Sequence, residues 1–518
     1  MVRMLMIALA AACAPMVAHA ASSIVALSSE DEAAYRAAYE AIDRGDFAGA
    51  DDALAAVTDQ TLRGHALARR LLADGADASA DDLARWMRAF ADEASAPAIA
   101  RLARARGLSL QPTPAGSRLH PLAGRRAPGD GPEARAQIES IAQAFSTRDF
   151  ETARARALAA LAGPRPGPAN WWLGLIAFQA GDYREAAQRF ETAAAWPSND
   201  GWAASGAAYW AGRSALAGGD PARAAHAFVD AARWPTTFYG QLAEAQLGRT
   251  SPLDTAAPQL PPQDLADFLA RRPEARRAAA LAQLGRLSDV EAELRLLHGR
   301  IGASEDPTLL ALAIALQAPG AQVRIAEYGD AHVGAGHCPA TSFQPEDGFR
   351  VDRAVIFAIM RQESRFVPIA VSSSNARGLM QLLPSTAQHV DASSPFKASP
   401  GLLHDPGVNM RLGQAYVEEL APKMSPPGDL AKLFAAYNGG IGWLGRWLAT
   451  FPDAQTDPLL MLEALPREEP RTYAERVLAY MALCRKTSGQ QALEIDALAS
   501  GRAPIYRPLD RPARVAAR

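Results

Sequence analysis

The chain contains an internal repeat in which the same small and aromatic residues recur after 38 positions. The matching positions are Gly174 and Gly212, Gly181-Asp182 and Gly219-Asp220, Ala186-Ala187 and Ala224-Ala225, Phe190 and Phe228, and Trp196-Pro197 and Trp234-Pro235. Small residues let two helices approach closely, Gly-Asp ends one helix and begins the next, and aromatic side chains fill the layer between them. A unit of this length cannot bury its apolar face alone, so the repeat predicts helix pairs that stack on one another.

Weaker copies of the turn extend the repeat toward the N-terminus, at Gly45-Asp46-Phe47 and Arg148-Asp149-Phe150. We therefore predict a mainly α chain with a tetratricopeptide-like α-superhelical solenoid over residues 21–244, followed by a helical linker over residues 245–335. A Pro- and Gly-rich stretch from Gln111 to Pro132 interrupts the helical pattern, and we interpret it as a surface loop or insertion.

A second feature, further along the chain, concerns a single glutamate. Val351, Val355 and Ile359 recur every four residues, and Glu363 falls on the next step of that series. On an α-helix this stripe faces the core, and a carboxyl group at its end is partly shielded from water. Desolvation raises the pKa of such a carboxyl toward neutrality, which suits a general acid. The alternative is a surface glutamate at a fraying helix end.

The segments that follow Glu363 are typical of the wall of a binding cleft. They are the polar loop Ser372–Arg377, the run Gly378–Ala387, the turn Ala435–Gly440 and the stretch Leu465–Tyr473. Each of them alone is a weak signal, because a Tyr-Asn-Gly-Gly sequence, for example, is usually a helix end and a turn.

In this order and spacing the segments resemble the catalytic domain of the soluble lytic transglycosylases, which cleave peptidoglycan. The match covers roughly residues 337–485. The resemblance implies a lysozyme-like, mostly helical catalytic domain over residues 336–490, with Glu363 as the one catalytic acid/base. It also implies a sugar-binding cleft lined by Ser372, Gln381, Tyr437, Asn438 and Glu469.

Three positions depart from the family pattern. Leu383 stands where some relatives carry Met, Gly439 where Ala is usual, and Pro470 where Thr is usual. Pro470 also removes a backbone N–H donor beside Glu469.

Most glycosidases use two carboxylates, but the only candidates for a second one beside Glu363 are Asp391 and Asp405, by proximity in sequence. The resemblance implies a reaction that needs one. The acid protonates the glycosidic oxygen, and the C6 hydroxyl of N-acetylmuramic acid then closes onto C1 to give a 1,6-anhydro end. Two alternatives remain open: a lysozyme-type muramidase that uses water, and a non-catalytic peptidoglycan-binding scaffold.

The first twenty residues have the pattern of a Sec-type signal peptide. A short basic start precedes an apolar run, and Ala18-His19-Ala20 is an Ala-x-Ala signature, so we predict cleavage after Ala20 and a periplasmic location. Cys13 raises a lipoprotein alternative, which the short apolar run before it disfavours. No other stretch reaches the roughly 18 apolar residues that span a bilayer.

The remaining predictions concern cysteines, cofactors and partners. Cys338 and Cys484 lie near the two ends of the catalytic region, and they either form a disulfide or remain buried thiols. No metal or cofactor motif is present, and a net charge of −3 gives no reason to invoke nucleic acid. We expect peptidoglycan glycan strands as the substrate. The solenoid either binds cell-wall proteins or serves only as a scaffold that positions the catalytic domain. Residues 491–518 form an Arg- and Pro-rich tail that we expect to be solvated beyond Ser500.

Overall fold

The structure, a computed structural model, describes residues 24–74, 78–116, 131–329, 331–452 and 456–510. These residues form two compact units, one up to Pro112 with Arg276–Val290 and the other comprising Thr113–Ala275 with Glu291 onward. Within the described ranges every regular element is a helix, and extended pairing is limited to isolated bridges. None of the helices described is long and apolar enough to cross a membrane.

The first unit begins with five helices. They are α1 (Ser29–Asp43), α2 (Phe47–Ala55), α3 (Arg63–Asp74), α4 (Ala80–Phe90) and α5 (Ala96–Arg104). Asp46 caps α2 by accepting the backbone N–H of Gly49, and Gly45 has a φ of 76°. The weak Gly-Asp copy is therefore a turn of the expected kind, in which Gly ends one helix and Asp begins the next.

The second unit contains the strong copies of the repeat. Its first helices are α6 (Pro132–Ser146), α7 (Phe150–Ala160), α8 (Pro166–Gln179), α9 (Tyr183–Ala194), α10 (Gly201–Ala217), α11 (Pro221–Ala231) and α12 (Phe238–Gln246). At both Gly-Asp turns the glycine has a φ near 80° and the aspartate caps the next helix. Asp182 accepts the N–H of Glu185, and Asp220 accepts that of Arg223.

The glycines of the repeat make room for its aromatic side chains. A Cβ added at Gly174 or Gly212 would lie 2.8 Å from the ring of Phe190 or Phe228, respectively. Both rings are buried between neighbouring helices. The 38-residue spacing thus repeats one packing rule: a ring in one helix fills the space that a glycine in the preceding helix leaves open.

A run of shorter helices follows, in the region predicted as a linker. These are α13 (Pro262–Arg271), α14 (Pro273–Gln283), α15 (Leu287–Arg300), α16 (Asp306–Ala315) and α17 (Pro319–Tyr328). Glu291 on α15 accepts the N–H of Gly320 at 2.7 Å, which ties α15 to the first turn of α17. Burial raises the pKa of Glu291 to about 7, in spite of that hydrogen bond.

The C-terminal helices carry the predicted cleft. They are α18 (Arg353–Glu363), α19 (Pro384–Val390), α20 (Pro406–Leu420), α21 (Leu430–Gly439), α22 (Ile441–Thr450), α23 (Pro458–Glu463), α24 (Glu468–Thr487) and α25 (Leu493–Ala499). The long helix α24 packs against α18 and α21. Its residues Val477, Leu478 and Met481 are fully buried, so α24 is the central element of this region.

The repeat helices of the second unit contact these C-terminal helices directly. Trp447 Nε1 on α22 donates to the carbonyl of Ser146 at 3.2 Å. Gln241 Nε2 on α12 donates to the carbonyl of Ala479 at 3.2 Å, and the Tyr239 hydroxyl donates to Glu463. These hydrogen bonds are buried, so the last repeat helices and the cleft helices share one interior.

Cys338 and Cys484 are joined in a disulfide, which links the segment before α18 to α24. Next to it, Arg361 donates to the carbonyl of His337 at 2.7 Å, and its guanidinium carbon lies 3.9 Å from the ring centroid of Tyr480. The disulfide and this arginine both hold α18 and α24 together.

The described part of the C-terminal tail differs from the expected solvated end. Leu509 and Asp510 donate their backbone N–H groups to the carboxylate of Asp352, and the N–H of Tyr506 donates to the carbonyl of Gly428. Backbone hydrogen bonds to one buried carboxylate hold this segment against the domain. The predicted signal peptide with Cys13, much of the Gln111–Pro132 stretch, and residues 511–518 lie outside the described residues.

We expect Gly174→Ala to lower the free energy of unfolding, because the added methyl group would collide with Phe190. Overpacking of a core costs about 1–3 kcal/mol, which exceeds the gain of about 1 kcal/mol in helix propensity. Urea unfolding followed by circular dichroism measures the change. Gly445→Ala on α22 is the matched control, because nothing lies within 4 Å of its added Cβ. Equal effects at the two positions would contradict the packing rule.

Candidate active site

Glu363 is the last residue of α18, and the stripe before it is buried as predicted. Val355 and Ile359 are 1% and 0% exposed. After the glutamate the chain turns sharply, since Arg365 and Phe366 have φ values of 50° and 64°, a region that residues other than glycine seldom occupy. The buried Phe366 ring anchors this turn. Glu363 therefore sits at a fixed helix end, not at a fraying one.

The carboxyl of Glu363 is held by a tyrosine on α24. The Tyr473 hydroxyl donates to Glu363 Oε1 at 2.7 Å, and the Tyr473 side chain is buried. Burial raises the pKa of Glu363 to about 7, the Tyr473 hydrogen bond opposes this, and the nearby charge of Glu469 adds to it. A carboxyl with this pKa keeps its proton in about half of the molecules at neutral pH, and it can act both as an acid and as a base.

Tyr437 continues the same wall but does not hydrogen-bond to the acid. Its ring stacks on that of Tyr473, with centroids 6.2 Å apart and an angle of 11° between the planes. Its hydroxyl donates to the carbonyl of Met380 at 3.0 Å. Burial raises the pKa of Tyr437 well above its usual value, and the charge of Glu363 adds to this. The hydrogen bond to the carboxyl comes instead from Tyr473.

Gln381 supports the loop that precedes it. Its Nε2 donates to the carbonyls of Ala370 and Gly378 at 3.1 Å and 2.9 Å. Gly378 has a φ of 78°, and a Cβ there would lie 2.2 Å from the carbonyl oxygen of Leu403, so only glycine fits the bend. The amide nitrogen of Gln381 is thus engaged by backbone, and its Oε1 remains as a possible acceptor for a ligand.

Ser372, Asn438 and Glu469 are the more open members of the predicted set. The Ser372 hydroxyl accepts the N–H of Ala376 at 3.0 Å and makes no hydrogen bond to Glu363. Asn438 follows Tyr437 at the end of α21, is partly exposed, and makes no side-chain hydrogen bond to a described residue. Glu469 is exposed in the first turn of α24, where its charge acts on Glu363.

Asp391 and Asp405, the two candidates for a second catalytic carboxylate, both make structural contacts. Asp391 accepts from Ser393 and pairs with Arg411 at 3.2 Å, and the Ser393 hydrogen bond leads the effects that lower its pKa. Asp405 caps α20 by accepting the N–H of Val408. In the part of the chain that the structure describes, no group of three His, Cys, Asp or Glu side chains converges in a way that could hold a metal ion.

Tyr473 is the site residue that the sequence reasoning did not select. It lies four residues after Glu469 on α24, so both side chains fall on one face of the helix. That spacing was visible in the sequence, but only the packing of α24 on α18 shows that this face meets Glu363.

The raised pKa of Glu363 predicts a stability change in Glu363→Gln. The folded protein releases this proton near pH 7, whereas an unfolded chain releases it near 4.5, so wild-type stability falls as the pH rises between these values. The substituted amide does not ionise and still accepts from Tyr473. The advantage of the variant in free energy of unfolding should therefore grow by up to about 2.5 kcal/mol from pH 5 to pH 8.

Urea unfolding of both proteins at the two pH values measures this difference. Glu151→Gln, at an exposed carboxylate on α7, controls for the loss of one negative charge. An advantage of the Glu363→Gln variant that is the same at pH 5 and pH 8 would contradict the raised pKa.

Residues 341–459 match the family model of the transglycosylase SLT domain. Among curated proteins, the soluble lytic murein transglycosylase of Escherichia coli K12 is 34% identical over 157 residues, which are 30% of this chain and 24% of that protein. The putative soluble lytic murein transglycosylase of Haemophilus influenzae is 38% identical over 136 residues, 25% and 22% of the two chains. The matched segment thus spans about a quarter of the length of these relatives.

The fold extends further than the sequence similarity. The crystal structure of the 70 kDa soluble lytic transglycosylase of Escherichia coli has a TM-score of 0.60 at 18% identity, over 89% of this chain and 97% of that one. An inactive mutant of the lytic transglycosylase Slt of Pseudomonas aeruginosa has a TM-score of 0.53 at 21% identity, over 89% and 74%. The predicted fold class, a helical solenoid followed by a lysozyme-like domain, is confirmed. The chain therefore contains a segment that matches the transglycosylase SLT domain, within a mainly α-helical fold similar to that of the 70 kDa soluble lytic transglycosylase.

Proposed function

We propose that the protein is a peptidoglycan lytic transglycosylase that cleaves the β-1,4 bond between N-acetylmuramic acid and N-acetylglucosamine and leaves a 1,6-anhydromuramoyl end. The observation that carries the proposal is the partly buried carboxyl of Glu363, with its pKa raised to about 7 and its position fixed by Tyr473. The SLT domain match and the relatives that are soluble lytic murein transglycosylases support the same activity.

In the proposed reaction, protonated Glu363 donates its proton to the glycosidic oxygen while the bond from that oxygen to C1 of the muramoyl sugar breaks. N-acetylglucosamine leaves with the proton as a hydroxyl group. The Glu363 carboxylate, stabilised by the Tyr473 hydroxyl, then removes the proton from the C6 hydroxyl of the muramoyl sugar, and O6 bonds to C1. The acid regains its proton, and no water is consumed.

One carboxylate suffices for this sequence because the nucleophile belongs to the substrate. An intramolecular nucleophile has a high effective molarity, so the protein's task is to hold the ring in a conformation that brings O6 to C1. The engagement of Asp391 with Arg411 and of Asp405 with the N-terminus of α20 supports a mechanism without either carboxylate.

The other site residues receive distinct proposed roles. The Asn438 amide, free of described partners, suits hydrogen bonds to hydroxyl or N-acetyl groups of the sugar. The Ser372 hydroxyl retains its proton for the same purpose, and Tyr437 forms a wall. Gln381 acts mainly by fixing the loop between Ala370 and Gly378, and Glu469 acts by raising the pKa of the acid.

Location and partners follow from the substrate. An enzyme that cuts peptidoglycan must meet the cell wall, and the signal-peptide pattern that ends at Ala20 supports export to the periplasm. We propose the repeat helices as a support for the cleft, which their buried hydrogen bonds to Glu463 and Ala479 favour, and as a surface for cell-wall proteins.

The products of isolated peptidoglycan, identified by mass spectrometry, test the proposal. We expect anhydromuropeptides from the wild-type protein and a loss of at least about a hundredfold in rate for Glu363→Gln. Reducing ends in place of anhydro ends would instead identify a lysozyme-type muramidase. A folded protein that binds glycan but releases no product would be a scaffold.

The pH dependence of kcat/KM on a soluble glycan tests the assignment of the acid. Activity requires the protonated carboxyl and should fall as the pH rises through about 7. Tyr473→Phe removes a hydrogen bond that lowers the pKa of Glu363, so this alkaline limb should move to higher pH. Glu469→Gln removes a charge that raises the pKa, so the limb should move to lower pH. Shifts in the same direction would overturn the assignment.

A further inference from the structure

An aromatic and a cationic side chain form a pair at the edge of the proposed cleft. Trp443 lies in the first turn of α22, and Arg467 is the residue immediately before α24. The guanidinium carbon of Arg467 lies 4.9 Å from the ring centroid of Trp443, a cation–π contact. We call these two residues the Trp443–Arg467 pair.

Two residues that depart from the family pattern, Gly439 and Pro470, lie where the indole ring of Trp443 packs. A Cβ added at Gly439 would lie 2.7 Å from Cε3 of Trp443 and 3.0 Å from Cγ of Pro470. The ring can occupy this position because residue 439 has no side chain, and Pro470 packs against the same glycine. Pro470 also lies in the first turn of α24, where a backbone N–H has no partner within the helix, so the proline costs no hydrogen bond.

The pair adjoins the proposed catalytic residues. Arg467, just before α24, precedes Glu469 by two residues, and Tyr473 further along α24 holds Glu363. On α21, Gly439 comes two residues after Tyr437, whose ring stacks on Tyr473. The Trp443–Arg467 pair thus lies next to the end of α21 and the start of α24, the two helices that also carry Tyr437 and Tyr473.

Arg467 carries a positive charge that no carboxylate among the described residues pairs with. It is exposed and forms no ion pair with any described residue, although Glu468 and Glu469 follow it directly. Arg471, one turn further on, is by contrast partly buried beside the carboxylate of Glu463. A guanidinium that stacks on an indole face keeps its N–H groups at the edge, where they can bind a carboxylate through two parallel hydrogen bonds. The indole N–H of Trp443 likewise has no hydrogen-bond partner among the described residues.

We propose that the Trp443–Arg467 pair is a subsite for a carboxylate carried on the lactyl ether of the muramoyl sugar. This proposal rests on the proposed function, because it concerns the substrate at the same cleft. The acidic group comes from one of two sources, the free lactyl carboxylate of a strand without peptides or a carboxylate of the peptide attached there. A glycan without lactyl groups presents no carboxylate to Arg467, so the pair distinguishes muramoyl strands from neutral N-acetylglucosamine polymers.

Binding of defined tetrasaccharides to the full chain with Glu363→Gln, measured by calorimetry, tests the subsite without turnover. The three ligands are an alternating muramoyl tetrasaccharide with peptides, the same tetrasaccharide after enzymatic removal of the peptides, and neutral tetra-N-acetylchitotetraose. Arg467→Gln should weaken binding of a carboxylate-bearing ligand about tenfold or more, as expected for loss of a charge-assisted contact, and leave the neutral ligand unaffected. Arg467→Lys should restore part of the affinity.

The three ligands and the control variants separate the outcomes of this experiment. Weaker binding of only the peptide-bearing ligand identifies the peptide as the source of the carboxylate, and weaker binding of only the peptide-free ligand identifies the lactyl group. Equal weakening for all three ligands, or the same effect from Arg446→Gln, an exposed arginine on α22, would overturn the subsite. Gly439→Ala, which displaces Trp443, should reproduce the selective loss. A wild-type protein that yields no anhydro ends would overturn the proposed reaction but not these binding results.

Discussion

The structure around the cleft depends on shielding one carboxyl group partly from water. Burial of Glu363 at the end of α18 raises its pKa to about 7, and the Tyr473 hydroxyl orients the same carboxyl at 2.7 Å. Burying a carboxyl is unfavourable for folding at neutral pH, so the surroundings must hold it there. The position of α24 relative to α18 is therefore the geometry on which the proposed chemistry relies.

Several strong contacts fix that geometry. The Cys338–Cys484 disulfide joins α24 to the segment before α18. Arg485 on α24 is 1% exposed and lies 3.3 Å from the carboxylate of Asp352, at the start of α18, and 3.1 Å from that of Glu494. Removing one partner of a buried ion pair costs about 3–5 kcal/mol, so this cluster resists any rotation of α24. The tail segment that binds Asp352 covers the cluster.

The repeat helices add a second set of contacts, to α23 and α24. Tyr239 donates to Glu463 and receives the indole N–H of Trp210 at 3.0 Å. Burial raises the pKa of Glu475 well above its usual value, and the neighbouring charge of Glu463 adds to this. Polar groups buried in this way must all be satisfied together, and the contact consequently specifies one arrangement of the repeat helices on α24.

The sequence alone determined the helical repeat, because a ring such as Phe190 and the glycine that accommodates it, Gly174, recur at a fixed spacing. It also predicted the buried stripe that leads to Glu363, because the period of an apolar stripe is a local property of a helix. Only the tertiary structure decided which tyrosine meets the acid, and that Gly439 and Pro470 serve the placement of one tryptophan. These contacts join residues far apart in the chain, through helices whose relative positions no local pattern encodes. For the same reason the sequence missed the docked tail, whose partner Asp352 lies more than 150 positions away.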